Sequence, residues 1–362
     1  MNPDFNFNGL NGGNVMKQIH RVFIGVFIMM IFMGFMAPVG TLEAAKLTTL
    51  KEITRPDLMA IGNDRLYISE KTTIYIYSMK DFKLIKSFGK AGEGPQEFSV
   101  VPFGAPMIYT PYENKVYVSH NARVSIFTKD GNYIEEFRVP PFSVFVPFLK
   151  NYVANGTSVN EKNEQLLAVN LYDSKINKLK ELYLSDLTVG PSGSFKFPFT
   201  SFVYVPYKDK VYVVIGNEGF CIDVFDNQGK KLYRIKKPYN ELKLPEEYKT
   251  NTMNWFKTAP NYKQYFDFFK ERISFRDKYP AIQYIAVKDD RIYVVTYAKK
   301  NENTECIILD LKGKELKRIF VPLPIYYGIE FYTRNDFDNK TFYYIMENEE
   351  DESWELHSMD LK

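Results

Sequence analysis

The sequence predicts an all-β chain, a six-bladed β-propeller of four-stranded antiparallel blades, and three observations lead there. A short phrase of two polar residues followed by apolar, Tyr, apolar recurs along the chain. A second phrase, an alternating run closed by a turn and Gly, follows most of its copies. The aromatic content is lopsided, with 27 Tyr and 30 Phe against 2 Trp in 362 residues. Flat rings suit half-buried pleated surfaces, and self-similarity along a chain marks a repeat architecture.

The first phrase reads Asp64-Arg65-Leu66-Tyr67-Ile68, and returns as Asn114-Lys115-Val116-Tyr117-Val118, Asp209-Lys210-Val211-Tyr212-Val213, Asp290-Arg291-Ile292-Tyr293-Val294 and, more loosely, Asn339-Lys340-Thr341-Phe342-Tyr343. Each is a turn feeding a strand. The second phrase closes on Asp130-Gly131, Gln228-Gly229 and Lys312-Gly313, residue-Gly pairs that mark hairpins. A further strand leaves each hairpin, so the unit is four short antiparallel strands, a propeller blade.

Blades fall at 58–98, 99–140, 141–186, 187–238, 281–322 and 323–362, the third with only Asn151-Tyr152-Val153-Ala154 where the stronger phrase belongs. The last blade ends the chain at its third strand, 353–361, and lacks an outer strand. Residues 46–53, ahead of the first blade, supply it and close the ring. Residues 239–280 break the pattern: 241–248 and 262–275 have helical lengths and few β-branched residues, with rings at Tyr262, Tyr265, Phe266 and Phe269. This is a helical insertion between blades four and five, either a lid packing its rings onto the propeller or an aromatic recognition surface that includes Trp255 and Phe256.

The run Phe88-Gly89-Lys90-Ala91-Gly92-Glu93-Gly94-Pro95-Gln96-Glu97-Phe98, then Lys115-Val116-Tyr117-Val118-Ser119, Asn121-Ala122-Arg123-Val124-Ser125-Ile126-Phe127 and Asp130-Gly131, resembles an NHL-type repeat. It is also similar to the opening of exported bacterial six-bladed propellers. The resemblance is good over 85–137, partial over blades four and five, and poor over blades three and six. It implies a propeller that mostly binds proteins, peptides or glycans, with a few lyase and hydrolase members, and so speaks to fold more than function. Read from the residues, the Gly/Pro stretch is a turn-rich crossover; it leads from no strand into a helix, against a dinucleotide or phosphate loop.

Lys17 and Arg21 precede an uncharged stretch over 22–42 with an apolar core at 22–36, and Ala44 and Ala45 follow. This is a secretory signal layout, with Met16 a candidate true start; an uncleaved anchor is the alternative. The domains are then 1–45, N-terminal extension and signal peptide, and 46–362, a single propeller. The localisation implied is periplasmic, cell-surface or secreted, with no membrane contact after cleavage. An oxidising compartment permits a disulfide. Cys221 and Cys306, however, fall in third strands of neighbouring blades, whose sheets stand about 10 Å apart, too far for a bridge; buried free thiols fit better.

Formal net charge is +3, from 47 basic and 44 acidic residues, so no large positive field exists to attract nucleic acid. Only His20, His120 and His357 are present, which rules out a three-His zinc site in the ring, and neither H-E-x-x-H nor G-x-S-x-G occurs. No catalytic residue is identified. No cofactor is expected, although calcium held by oxygen ligands from several loops stays open. The acidic run 347–352 is a solvated loop tip.

The favoured reading is an exported, monomeric, non-catalytic binding propeller; the alternative is a metal-assisted lyase or hydrolase working in the central channel. In a four-stranded blade the interblade crossovers and the central hairpin loops share one rim. That rim collects 90–96, 120–123, 157–165 and the insertion, the longest loops of the chain. A protein, peptide or glycan partner is expected there, with Trp255 and Tyr262 as aromatic anchors and Arg123 and His120 as polar contacts near the channel mouth.

Overall fold

The computed structural model describes residues 44–361 apart from 95, 99–107, 142, 162, 189–194, 199–203, 261, 326 and 329–333. Among them, six four-stranded antiparallel sheets follow one another along the chain. Blade 1 holds Leu58–Gly62, Arg65–Glu70, Thr73–Ser78 and Leu84–Phe88; blade 2 holds Ile108–Tyr112, Lys115–His120, Arg123–Thr128 and Tyr133–Arg138. Blade 3 holds Phe145–Phe148, Asn151–Val159, Gln165–Tyr172 and Lys178–Thr188; blade 4 holds Tyr204–Tyr207, Lys210–Val214, Cys221–Asp226 and Lys231–Lys236. Blade 5 holds Tyr284–Lys288, Arg291–Lys300, Asn303–Asp310 and Glu315–Val321; blade 6 holds Asn335–Asp338, Thr341–Asn348, Ser353–Asp360 and, last, Ala44–Thr49. First strands of successive blades touch, the sixth against the first, so the ring closes around an axis lined by those strands. The chain is a six-bladed β-propeller.

Each part of the repeated phrase has a physical task. A two-residue turn joins first and second strands in every blade; the first residue of the polar pair, such as Asp64, closes that turn, and the second, such as Arg65, opens the second strand. At Asn63 and Asp64, and again at Asp289 and Asp290, both residues have positive φ, the conformation of a hairpin whose twist matches its strands. The Tyr reaches the next blade. Tyr67 of blade 1 donates to the Lys129 carbonyl of blade 2 at 3.0 Å, and Tyr293 of blade 5 stacks on Phe337 of blade 6 at 4.3 Å. The glycine of the second phrase lets the outer turn press against the preceding blade. At Gly313, φ is +91° and a Cβ would stand 2.6 Å from Ile235 of blade 4.

The N-terminal strand seals the ring as the unpaired last blade requires, but it runs over Ala44–Thr49 rather than 46–53. A register irregularity between Lys46 and Thr48 turns the chain, and Leu50 and Ile53 leave the strand to pack with Trp354 in the core shared by blades 6 and 1. The leader lies outside the described residues; no helix among those described is long and apolar enough to cross a membrane.

The insertion departs from expectation in its boundaries. Residues 241–244 are not helical, because the helix starts only after Pro245, whose missing N–H suits a helix entrance. Helix α1 then spans Glu246–Thr258 and buries Tyr248, Thr252 and Phe256, one side at a four-residue period. Residues 262–275 are three pieces rather than one: a single 3₁₀ turn over Lys263–Tyr265, helix α2 over Phe266–Lys270, and strand Ile273–Phe275, which pairs in parallel with Phe195–Phe197 ahead of blade 4. Cys221 and Cys306 are buried free thiols, in the third strands of blades 4 and 5.

Candidate functional site

The two rims differ. One carries the two-residue turns and the short outer hairpins, such as 227–230 and 311–314. The other carries the crossovers, the central hairpins and the insertion. On this second rim the insertion has its own apolar core, built from Phe197, Leu244, Tyr248, Phe256, Tyr262 and Phe269 with Tyr297 of blade 5.

The predicted anchors sit within that core. Tyr262 is fully buried between Trp255 and Phe269, so its ring presents no surface to a partner. Trp255, on the last turn of α1, is half-buried: its ring lies tilted against Tyr262 at 4.7 Å and edge-on to Phe256 at 4.9 Å, and Gly328 lies against its indole. The packing favours the lid reading for both residues. The ring that faces out is Phe268 of α2, 49% exposed, with the Arg272 guanidinium 3.9 Å over its face. Sequence reasoning passed over it because Phe268 and Phe269 are adjacent, and only the packing decides which of the two turns inward.

His120 and Arg123 do come together, because a two-residue turn joins their strands. The sequence places His120 in a loop; in the structure it is the last residue of a strand and faces Arg123 across Asn121 and Ala122, both with positive φ. Arg123 pairs with Glu136 at 3.2 Å and donates to the Glu93 carbonyl at 3.1 Å, pinning the Gly/Pro crossover to blade 2. Ser125 donates to Glu136 Oε2 at 2.6 Å, and His120 Nε2 lies 2.9 Å from Ser125 Oγ. Since the single hydroxyl proton goes to the carboxylate, Nε2 must carry the proton that His120 shares with Ser125. Burial first, and the Arg123 charge second, push His120 down to about 4, so it is neutral at ordinary pH.

This is a hydroxyl between an imidazole and a carboxylate, the wrong order for a nucleophile, which needs the imidazole to accept its proton. His120 is buried against the Phe98 ring at 4.8 Å, and Ser125 is fully buried. The pair positions the crossover and offers no surface of its own. Among the described residues, no three His, Cys, Asp or Glu side chains are grouped to hold a metal.

A cleft of about 280 Å³ opens where the insertion meets the central hairpin of blade 4. Lys196 comes from the short strand before blade 4, Asn217 from that hairpin, Glu241 from the start of the insertion, and Arg276, Asp277 and Lys278 from its end. The parallel pairing of Phe195–Phe197 with Ile273–Phe275 brings these segments together, and Arg276 N–H donates to the Phe197 carbonyl at 2.8 Å. Nothing local in the sequence signals this site, whose walls are some 80 residues apart along the chain.

No protein-family model and no curated protein matches the sequence. Among solved structures the chain is similar to a luciferin-regenerating enzyme, at 9% identity over 88% of this chain and 95% of that one, TM-score 0.43. The WD40 domain of Neurospora crassa Pan2 is similar at 9% identity over 88% and 96%, TM-score 0.41. The AfRom2 CNH domain is similar at 9% identity over 88% and 100%, TM-score 0.40. Likenesses this distant say nothing of what this chain binds.

Proposed function

We propose that the chain is an exported, non-catalytic binding propeller of NHL-like type that recognises a protein, peptide or glycan partner through the rim bearing the insertion. The observation that carries this reading is the asymmetry of the rims: one holds only short turns, the other a separately cored helical insertion with an exposed Phe268–Arg272 pair and an open cleft beside it. Loops on a rigid scaffold are where recognition concentrates. The signal layout at the N-terminus supports export. The buried His120–Ser125–Glu136 cluster, which lacks both access and the right proton order, supports a non-catalytic role.

The test is partner capture by the mature chain and two sets of variants. Phe268→Asp with Arg272→Glu alters the insertion rim; Lys230→Glu with Lys312→Glu alters exposed turns of the other. Capture is expected to fail in the first set and persist in the second. Loss in the second set alone places the binding face on the opposite rim and overturns the reading.

A further inference from the structure

Arg276 is the unusual charge of this molecule. Its Nε is buried and has no hydrogen-bond partner, and its guanidinium makes no ion pair among the described residues. Three arginines of the outer parts of the blades, by contrast, are paired: Arg123 with Glu136, Arg234 with Asp223, Arg318 with Glu305. A buried donor without an acceptor is a standing cost in the free protein, relieved by whatever brings an acceptor.

Exposed charges of both signs line the cleft around it. Lys196 and Lys278 make no ion pair or side-chain hydrogen bond with other described residues, and neither do Glu241 and Asp277. Three cations and two acids thus line one cleft without satisfying each other. The excess of one positive charge suits a ligand with a single negative charge, and the two carboxylates repel a dianion while accepting from hydroxyl or ammonium donors. A planar guanidinium fork matches a carboxylate. The volume, near the lower end of small-molecule sites at roughly 300 Å³, suits one sugar or one amino acid.

We infer that this cleft binds a small monocarboxylate carrying hydroxyl or ammonium donors, with Arg276 holding the carboxylate and Glu241 and Asp277 accepting from the donors. The inference rests on the reading of this rim as the binding face and names the ligand chemistry of one part of it.

The test follows the Arg276 Nε–H signal by nuclear magnetic resonance, assigned by its absence in Arg276→Lys, during titration of the mature chain with D-glucuronate, glycine, D-glucose and inorganic phosphate. The expected result is a saturable shift with glucuronate or glycine at a Kd of about 1 mM or tighter, none with glucose, and phosphate weaker by about tenfold. Arg276→Lys, checked for an unchanged melting temperature, weakens the carboxylate, followed calorimetrically, by about tenfold. Glu241→Gln with Asp277→Asn narrows the preference over phosphate. No saturable shift with either carboxylate, phosphate binding as tightly as both, or full affinity in Arg276→Lys overturns the inference. Partner capture by the Arg276→Lys chain is measured alongside, so a failure of the cleft and a failure of the rim reading are told apart.

Discussion

Lys46 and Glu355 meet at 2.5 Å across the seam where the strand Ala44–Thr49 joins the strand Ser353–Asp360. Asn348 and His357 also direct hydrogen bonds to that carboxylate, and with Lys46 as the largest cause they hold Glu355 down to about 2. The seam is therefore a polar clasp beside an apolar one, since Leu50 packs under Trp354 a few residues on.

Deleting residues 44–49 exposes the edge of Ser353–Asp360 and unlatches the ring. The expected outcome is a lower melting temperature for the whole protein, with all spectroscopic probes moving together. The milder Leu50→Ala, at a fully buried position, should cost about 3 kcal/mol in denaturant unfolding. An unchanged midpoint in both would show that the ring closes by other contacts.

The buried His120 makes stability depend on pH. Its folded value of about 4 lies below the ordinary 6.5, so between those limits the unfolded chain binds the extra proton. Its contribution is whole above about pH 6.5 and falls as pH drops toward 4, by roughly 3 kcal/mol in all. Urea midpoints measured from pH 7 to 4 should show this slope in the wild type and a reduced one in His120→Gln. The Glu355 contribution, whole above its unfolded value of about 4.5, starts to fade only at the acid end of that range.

Two glycines separate conformational cost from crowding. Gly219 has φ +71° but its nearest neighbour to a new Cβ is 3.8 Å away, whereas Gly313 has φ +91° and Ile235 at 2.6 Å. Gly219→Ala should lose about 1 kcal/mol, and Gly313→Ala about 2 to 3, because blades 4 and 5 must also move apart. Equal losses would mean that the close approach is easily relaxed.

Adjacent phenylalanines in the insertion should behave oppositely. Phe269 is buried in the insertion core and Phe268 is exposed. Phe269→Ala is expected to destabilise by about 3 to 4 kcal/mol, while Phe268→Ala stays within about 0.5 kcal/mol of wild type.

The thiols give a reagent-accessible check on the blade core. Burial raises both Cys221 and Cys306, and neither should react with a thiol reagent until the protein unfolds. Fast labelling in the native state would place one of them at a surface.

Blade number, the closing strand and the position of the insertion were legible in the sequence because they follow from local regularities. Tyr67 and Tyr293 repeat at the same place in their blades, turn pairs such as Asp289-Asp290 punctuate the strands, and the strand missing from the last blade had to come from the other terminus. What each side chain meets was decided by tertiary structure. Whether Tyr262 or Phe268 faces out depends on how the insertion rolls over the crossovers around Phe197 and Gly328. His120 becomes a buried, neutral group because Phe98 and Glu136 close on it from a crossover and an outer strand. The cleft at Arg276 exists because the pairing of Phe195–Phe197 with Ile273–Phe275 brings Lys196 beside it from some 80 residues away in the chain. Period and turn chemistry act between near neighbours in the chain, whereas burial, ionisation and unmet hydrogen bonds depend on groups that only the closed ring brings within reach.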